Sequence, residues 1–175
     1  LIRIDDPDGF RATTLVEFDG FAAFDAEMFL FQADGPEGYG LLANLDASAA
    51  TSDPLITPMA TDGSQASIQE PGLYYLAISG KPAVPISFDG PIFNFVSQTE
   101  VSGPDGNGGF NAFTDWLGNG ETGDYKVGLR GVVSIPISEI GCDPADIAPP
   151  YGVHDMTDVL VFLSEFNGGI LDLVD

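Results

Sequence analysis

The sequence predicts an all-β fold, an antiparallel sandwich of two sheets followed by one short C-terminal amphipathic helix. Three observations carry that expectation. Short runs rich in Val, Ile, Leu, Phe and Tyr recur between clusters of Gly, Pro, Asp and Asn from residue 1 to about 138. Where the runs alternate, they do so with the period of two that a half-buried strand requires. Helical spacing of apolar residues appears only after Cys142. A chain of 175 residues is long enough to bury one core of this kind.

In order, the candidate strands are "LIRI" (1–4), "ATTLVEF" (12–18), "EMFLFQ" (27–32), "GLLANL" (40–45), "QASIQ" (65–69), "LYYLAIS" (73–79), "IFNFV" (92–96), "YKVGLRGV" (125–132) and "VSIPIS" (133–138). In "YKVGLRG" the pattern points Tyr125, Val127 and Leu129 inward and Lys126, Gly128 and Arg130 outward. "MFLF" and "LYYLAIS" are apolar on both faces, which suits central strands covered from two sides. "GKPAVP", "SGPDGNGG" and "GNGETGD" fill residues 80–124 with backbone breakers, so this stretch is expected to be an elaborated loop holding one short strand at "IFNFV". Beyond it, "DPADIAPPYGVHD" reads as a connector. "MTDVLVFLSEF" then places Met156, Val159, Leu160, Leu163 and Phe166 on one helical face, with Asp155 as N-cap and Gly168-Gly169 as stop. The expected organisation is a sandwich over 1–138 and a linker plus helical tail over 139–175.

Composition removes several function classes. Five basic residues stand against 27 acidic ones, a formal charge of -22, so the surface repels phosphate backbones and anionic bilayers. Nucleic-acid binding is excluded on that ground, and no apolar run reaches the roughly 18 residues that a spanning helix needs, so membrane insertion is not expected. A hydrophobic fraction of 44% with thirteen Phe removes the chain from the disordered class despite its charge. A single cysteine, Cys142, leaves no internal disulfide to form. The first residue is Leu1, which reads as a processed mature chain or a piece of a longer one.

The words "DPDGFRATTLVEFDGFAAFDAEMFLFQADG", "GLLANLD", "EPGLYYLAISG" and "GDYKVGLRGV", in this order, resemble the bacterial pre-peptidase C-terminal type of β-sandwich over residues 1–132. The resemblance implies a jelly-roll-like module in which "PGLYYLAISG" is the penultimate core strand, entered by the turn at Pro71-Gly72. It also implies an accessory or surface role in a secreted bacterial protein rather than catalysis. Some such modules bind calcium or polymeric substrates. The tail "GCDPADIAPPYGVHDMTDVLVFLSEFNGG" resembles a degenerate dockerin-like or EF-hand-like half-repeat. Asp146, Gly152, Asp155 and Asp158 match a calcium loop, whereas Ala148, Pro149, Pro150 and Tyr151 occupy its middle, and the competing role is helix capping and packing.

Catalytic words are scarce. His154 and Cys142 are the only residues of their types and too few for a zinc site or a Cys-His nucleophile. Carboxylates and amide oxygens cluster in "DDPDG" (Asp5, Asp6, Asp8), "NLDAS" (Asn44, Asp46) and "PDGNGG" (Asp105, Asn107). These suit Ca²⁺ and equally suit turns in which Asp and Asn bond their own backbone. Trp116 reads as a pin holding the 80–124 loop to the sandwich, or, with Phe110 and Phe113, as a stacking platform for a ligand.

The functional expectation is a non-catalytic extracellular or cell-surface module, structural or adhesive. Its partners would be other surface proteins or copies of itself in a filament or surface layer. The alternative is a carbohydrate- or protein-binding accessory domain of a secreted enzyme, stabilised by calcium and taking polysaccharide as partner.

Overall fold

A computed structural model describes residues 1–135, and the chain divides after Val133. The expected helix over 156–166, Cys142, His154, and Asp146, Asp155 and Asp158 lie outside the described residues.

The described part is all-β and antiparallel throughout, as the turn-punctuated apolar runs predict. It contains β1 (Ile2–Ile4), β2 (Arg11–Thr13), β3 (Phe21–Ala22), β4 (Ala26–Asp34), β5 (Glu37–Asn44), β6 (Leu55–Ile56) and β7 (Gly72–Gly80). There follow β8 (Val84–Ser87), β9 (Gly90–Pro91), β10 (Val101–Ser102), β11 (Asp115–Leu117), β12 (Tyr125–Lys126), β13 (Gly128–Arg130) and β14 (Val132–Val133). A six-stranded sheet runs in the order β10-β5-β4-β7-β1-β14. Smaller sheets, β13-β2-β6, β11-β8-β9 and the ribbon β12-β3, complete the fold.

Two long strands explain the architecture. Residues 28–31 of β4 and most of β7 are apolar on both faces, so neither face can be left to water there. On one face Met28, Leu30, Leu42, Tyr74, Ile4 and Val101 pack with Phe10, Ala12 and Ile56 from the β13-β2-β6 side. On the other, Phe29, Phe31 and Ala43 meet Ile92 and Phe93, with Phe113 and Trp116 alongside. Side chains in a strand alternate, so odd and even residues of β4 serve different cores. Tyr74 and Tyr75 divide in the same way, Tyr74 joining the first cluster and Tyr75 the second.

The β4–β5 hairpin turns at Gly35-Pro36, with Asp34 opposite Glu37, and its register shifts between Leu30 and Phe31. Gly40 faces Phe31 at that bulge, and a Cβ there would lie 2.3 Å from the Ile92 side chain. Glycine thus lets the covering segment settle directly on β5.

Several local expectations are corrected. "IFNFV" is not a strand. Ile92 and Phe93 are buried, but the backbone here bonds to turns, with Gly106 N donating to Ile92 O and Asn94 N to Asp105 Oδ1. The 80–124 stretch instead holds β8, β9, β10 and β11, and β8 begins within the breaker-rich "GKPAVP". "QASIQ" contributes only an isolated bridge, Ser67 to Met59, and "ATTLVEF" leaves the strand after Thr13 and bends into a 3-10 turn, Val16–Phe18. The clean alternation of "YKVGLRG" fails. Gly128 is buried, while Tyr125 and Leu129 are 54% and 37% exposed. The cause is topological: β12 pairs with β3, β13 with β2 and β14 with β1, so this segment passes through three sheets and never presents one continuous face. Gly131, at φ 71°, makes the last corner, and its carbonyl accepts from the amides of Asp5 and Asp6. The opening strand β1 is not an edge; it has β7 on one side and β14 on the other.

Phe29→Ala should cost about 3–5 kcal/mol of unfolding free energy, because it empties a fully buried ring site between Phe93 and Trp116. Phe88→Ser, at a side chain that is 91% exposed, should change it by less than about 0.5 kcal/mol. Denaturant titration of both variants checks the pair.

Candidate functional site

The second face of the large sheet carries an aromatic groove. Register places Phe31 of β4 opposite Tyr75 of β7, and Phe29 opposite Ala77. The covering segment is tied to β5 and, through the pairing of β11, to β8. Phe113 N donates to Gly38 O (2.8 Å) and Thr114 N to Ile86 O (2.9 Å), which delivers Phe113 and Trp116 over the strands. The hollow left between them, about 350 Å³, is lined by Phe31, Pro36, Gly38, Tyr75, Leu76, Ala77, Phe113 and Trp116. The rings brace one another: Phe31 and Phe113 lie edge to face 5.7 Å apart, Trp116 and Phe29 likewise at 5.6 Å, and Phe113 and Trp116 are tilted at 5.4 Å. Tyr75 is fixed as well, its hydroxyl donating to Gly35 O at 2.8 Å. Such a lining supplies stacking and apolar surface; Tyr75 is its one ionisable side chain.

A charged cluster sits near the start of β4. Glu27 is 2% exposed, and its Oε2 is buried with no hydrogen-bond partner. Lys81 lies 3.6 Å from Asp25. Burial pushes the Glu27 carboxyl up to about 7; Lys81 pulls it down, while Asp25 and Asp46 push it further up. Asp46 is raised as well, first by its own burial, against the pull of Lys81.

The residues proposed for calcium do not converge. Asp6 Oδ1 accepts from Gly9 N (3.1 Å), capping the turn that follows it, and Asp5 and Asp8 stand exposed beside it. Asn44 is buried and fully engaged: its amide donates to Asp46 O and Glu100 O, and its Oδ1 accepts from Leu55 N. It clamps loops together. Asp105 caps Asn94, and Asn107 is exposed on its turn. Among the described residues, no three His, Cys, Asp or Glu side chains gather around a common point. Asp62, not singled out in the sequence, makes the densest such turn, accepting from Ser64 and from Gly103 N. Burial raises its pKa, but these bonds outweigh it and leave the group below the usual carboxylate range.

Of the three aromatic candidates, Trp116 and Phe113 share the groove, whereas Phe110 is 94% exposed and outside its lining. Phe31 and Tyr75 were hidden among core-strand residues, since only the pairing of β4 with β7 reveals their neighbourhood. Glu27 did leave a signal: a carboxylate opening a run that is otherwise apolar on both faces. No family model, curated protein or solved structure matches the chain.

Glu27 binds its proton more tightly in the folded than in the unfolded chain, so its contribution to stability is complete below pH about 4.5 and is lost as pH rises through about 7. Glu27→Gln removes that loss. Relative to wild type, the variant should gain about 2–3 kcal/mol between pH 5 and pH 8, measured as the difference between the two denaturation profiles. Parallel profiles would show that Glu27 is ionised at little cost.

Proposed function

We propose that the chain is a non-catalytic binding module of a secreted or surface-attached bacterial protein, gripping its partner through the aromatic groove between β7 and the Phe113–Trp116 segment. The observation that carries the reading is the groove itself. Four ring systems, held by backbone ties and by one another, surround an open hollow. Concave, largely apolar, pre-formed sites of this size are where small ligands and extended segments bind. The non-catalytic and extracellular parts of the reading rest on the resemblance to accessory sandwich modules, and the acidic surface agrees with them. An aromatic platform favours the accessory binding role over a purely architectural one, because a structural module has no use for ring faces left open.

Trp116 is the sole tryptophan of the chain, so its emission reports on the groove directly. A panel of insoluble polysaccharides and a displayed peptide library should contain a ligand that retains the full chain and shifts Trp116 emission. Phe113→Ala should lower retention at least about fivefold, as expected for loss of one stacking or hot-spot contact. Silence of Trp116 across both panels, or retention indifferent to Phe113→Ala, overturns the reading.

A further inference from the structure

We infer that the partner is another polypeptide and that it binds as an added β-strand, pairing with the free edge of β7 in line with β1. The inference rests on the groove being the contact site, and it adds the class of molecule that enters. β7 is paired with β4 from Tyr74 to Gly80, but with β1 only from Gly72 to Tyr74. Among the described residues, no strand pairs with its second edge over residues 75–79. The phase of the ladder fixes which groups are left over. Lys81 N donates to Asp25 O, so by antiparallel alternation Ser79, Ala77 and Tyr75 turn their backbone groups toward β4. Leu76 and Ile78 turn theirs outward, and the N–H and C=O of both find no partner among the described residues. Two half-buried residues thus offer two donors and two acceptors at the spacing of a strand.

The space beside this edge has the shape of a strand. The aromatic groove borders Tyr75, Leu76 and Ala77, and a second hollow of about 370 Å³ borders Ile78, Ser79 and Gly80; Trp116 lines both. The two hollows lie end to end along β7. They stop at Gly80, where a Cβ would lie 2.0 Å from the carbonyl oxygen of Glu121. Side-chain preferences follow from β1, whose Ile2 and Ile4 both join the first core. A strand continuing in that direction places its residues opposite Leu76 and Ile78 on the same face, beside side chains that pack on this core but remain half-exposed. Apolar residues belong at those two positions. The residue between them lies opposite Ala77, on the face of Phe31 and Trp116, and projects into the aromatic groove. Main-chain pairing supplies affinity in this mode and the alternate side chains supply selection. A glycan could stack on the rings but has no backbone ladder to offer Leu76 and Ile78.

The test is titration of the full chain, followed through Trp116, with the capped peptide Gly-Ser-Thr-Ile-Val-Ile-Gly, whose two Ile fall opposite Ile78 and Leu76. A parallel titration uses the same peptide N-methylated at both Ile, which keeps every side chain and removes the two amides aimed at β7. The methylated peptide should bind at least about tenfold more weakly, as expected for two lost hydrogen bonds. Leu76→Pro and, independently, Ile78→Pro each delete one outward N–H and spare the ladder to β4, and each should weaken the unmethylated peptide about fivefold. Thermal melts show whether the proline variants are folded; where one is not, the comparison of the two peptides decides. Equal binding of the two peptides overturns the added strand and leaves the groove as a side-chain site. Methylation-sensitive binding that survives in folded proline variants is pairing at another edge and overturns the inference as well. If neither this peptide nor any displayed one moves Trp116 while a polysaccharide does, the inference falls alone; if nothing moves it, the proposed function falls with it.

Discussion

A strand that tolerates water on neither face sets the terms for the whole described molecule. β4 presents Met28 and Leu30 to one side, Phe29 and Phe31 to the other, and β7 follows it residue for residue. A sheet of this kind needs two covers. The first comes from β2, β6 and β13, strands so short that they serve mainly as carriers for Ala12, Ile56 and neighbours such as Phe10. The second is the long excursion between β7 and β12, whose turns lower Ile92, Phe93, Phe113 and Trp116 onto the far face. Charge is confined to what remains, which is why carboxylates crowd the turns and why Glu27, placed at the end of a water-free strand, is so reluctant to ionise.

The groove is a by-product of unequal covering. Ile92 and Phe93 close over β5 and β4, where Gly40 removes the obstacle of a side chain. Over β7 the cover thins to Phe113, tied to Gly38 of β5, and Trp116, carried on β11 against β8. A core cluster thereby becomes a surface feature without any break in its ring-to-ring contacts. The same side chains carry stability and recognition, so Trp116 is both the pin and the platform between which its sequence context could not decide.

Legibility in the sequence followed the range of the interactions involved. The two double-faced strands and the all-β class were readable because each depends on local composition. The fate of "YKVGLRG" was not, since its alternation was sound and only the switch among three sheets turned Leu129 outward. "IFNFV" misled for the opposite reason: burial without pairing looks like a strand in one dimension. At the site, Trp116 and Phe113 were visible as aromatics in a polar loop, but Phe31 and Tyr75 joined them through a register set forty-four residues apart in the chain. The oxygen-rich turns looked like ion cages because the same side chains that ligate cations also cap backbone amides, and Asp6, Asp105 and Asn44 are spent on the latter.

The position of β1 has a mechanical side. It lies antiparallel to β14, with Arg3 opposite Val133, so the first and last residues of this unit leave the sheet at the same end. Tension applied between Leu1 and Val133 therefore peels the two strands apart one rung at a time instead of shearing all rungs together. The unit should yield at low force, starting at the β1–β14 pair, while β4 and β7 stay intact.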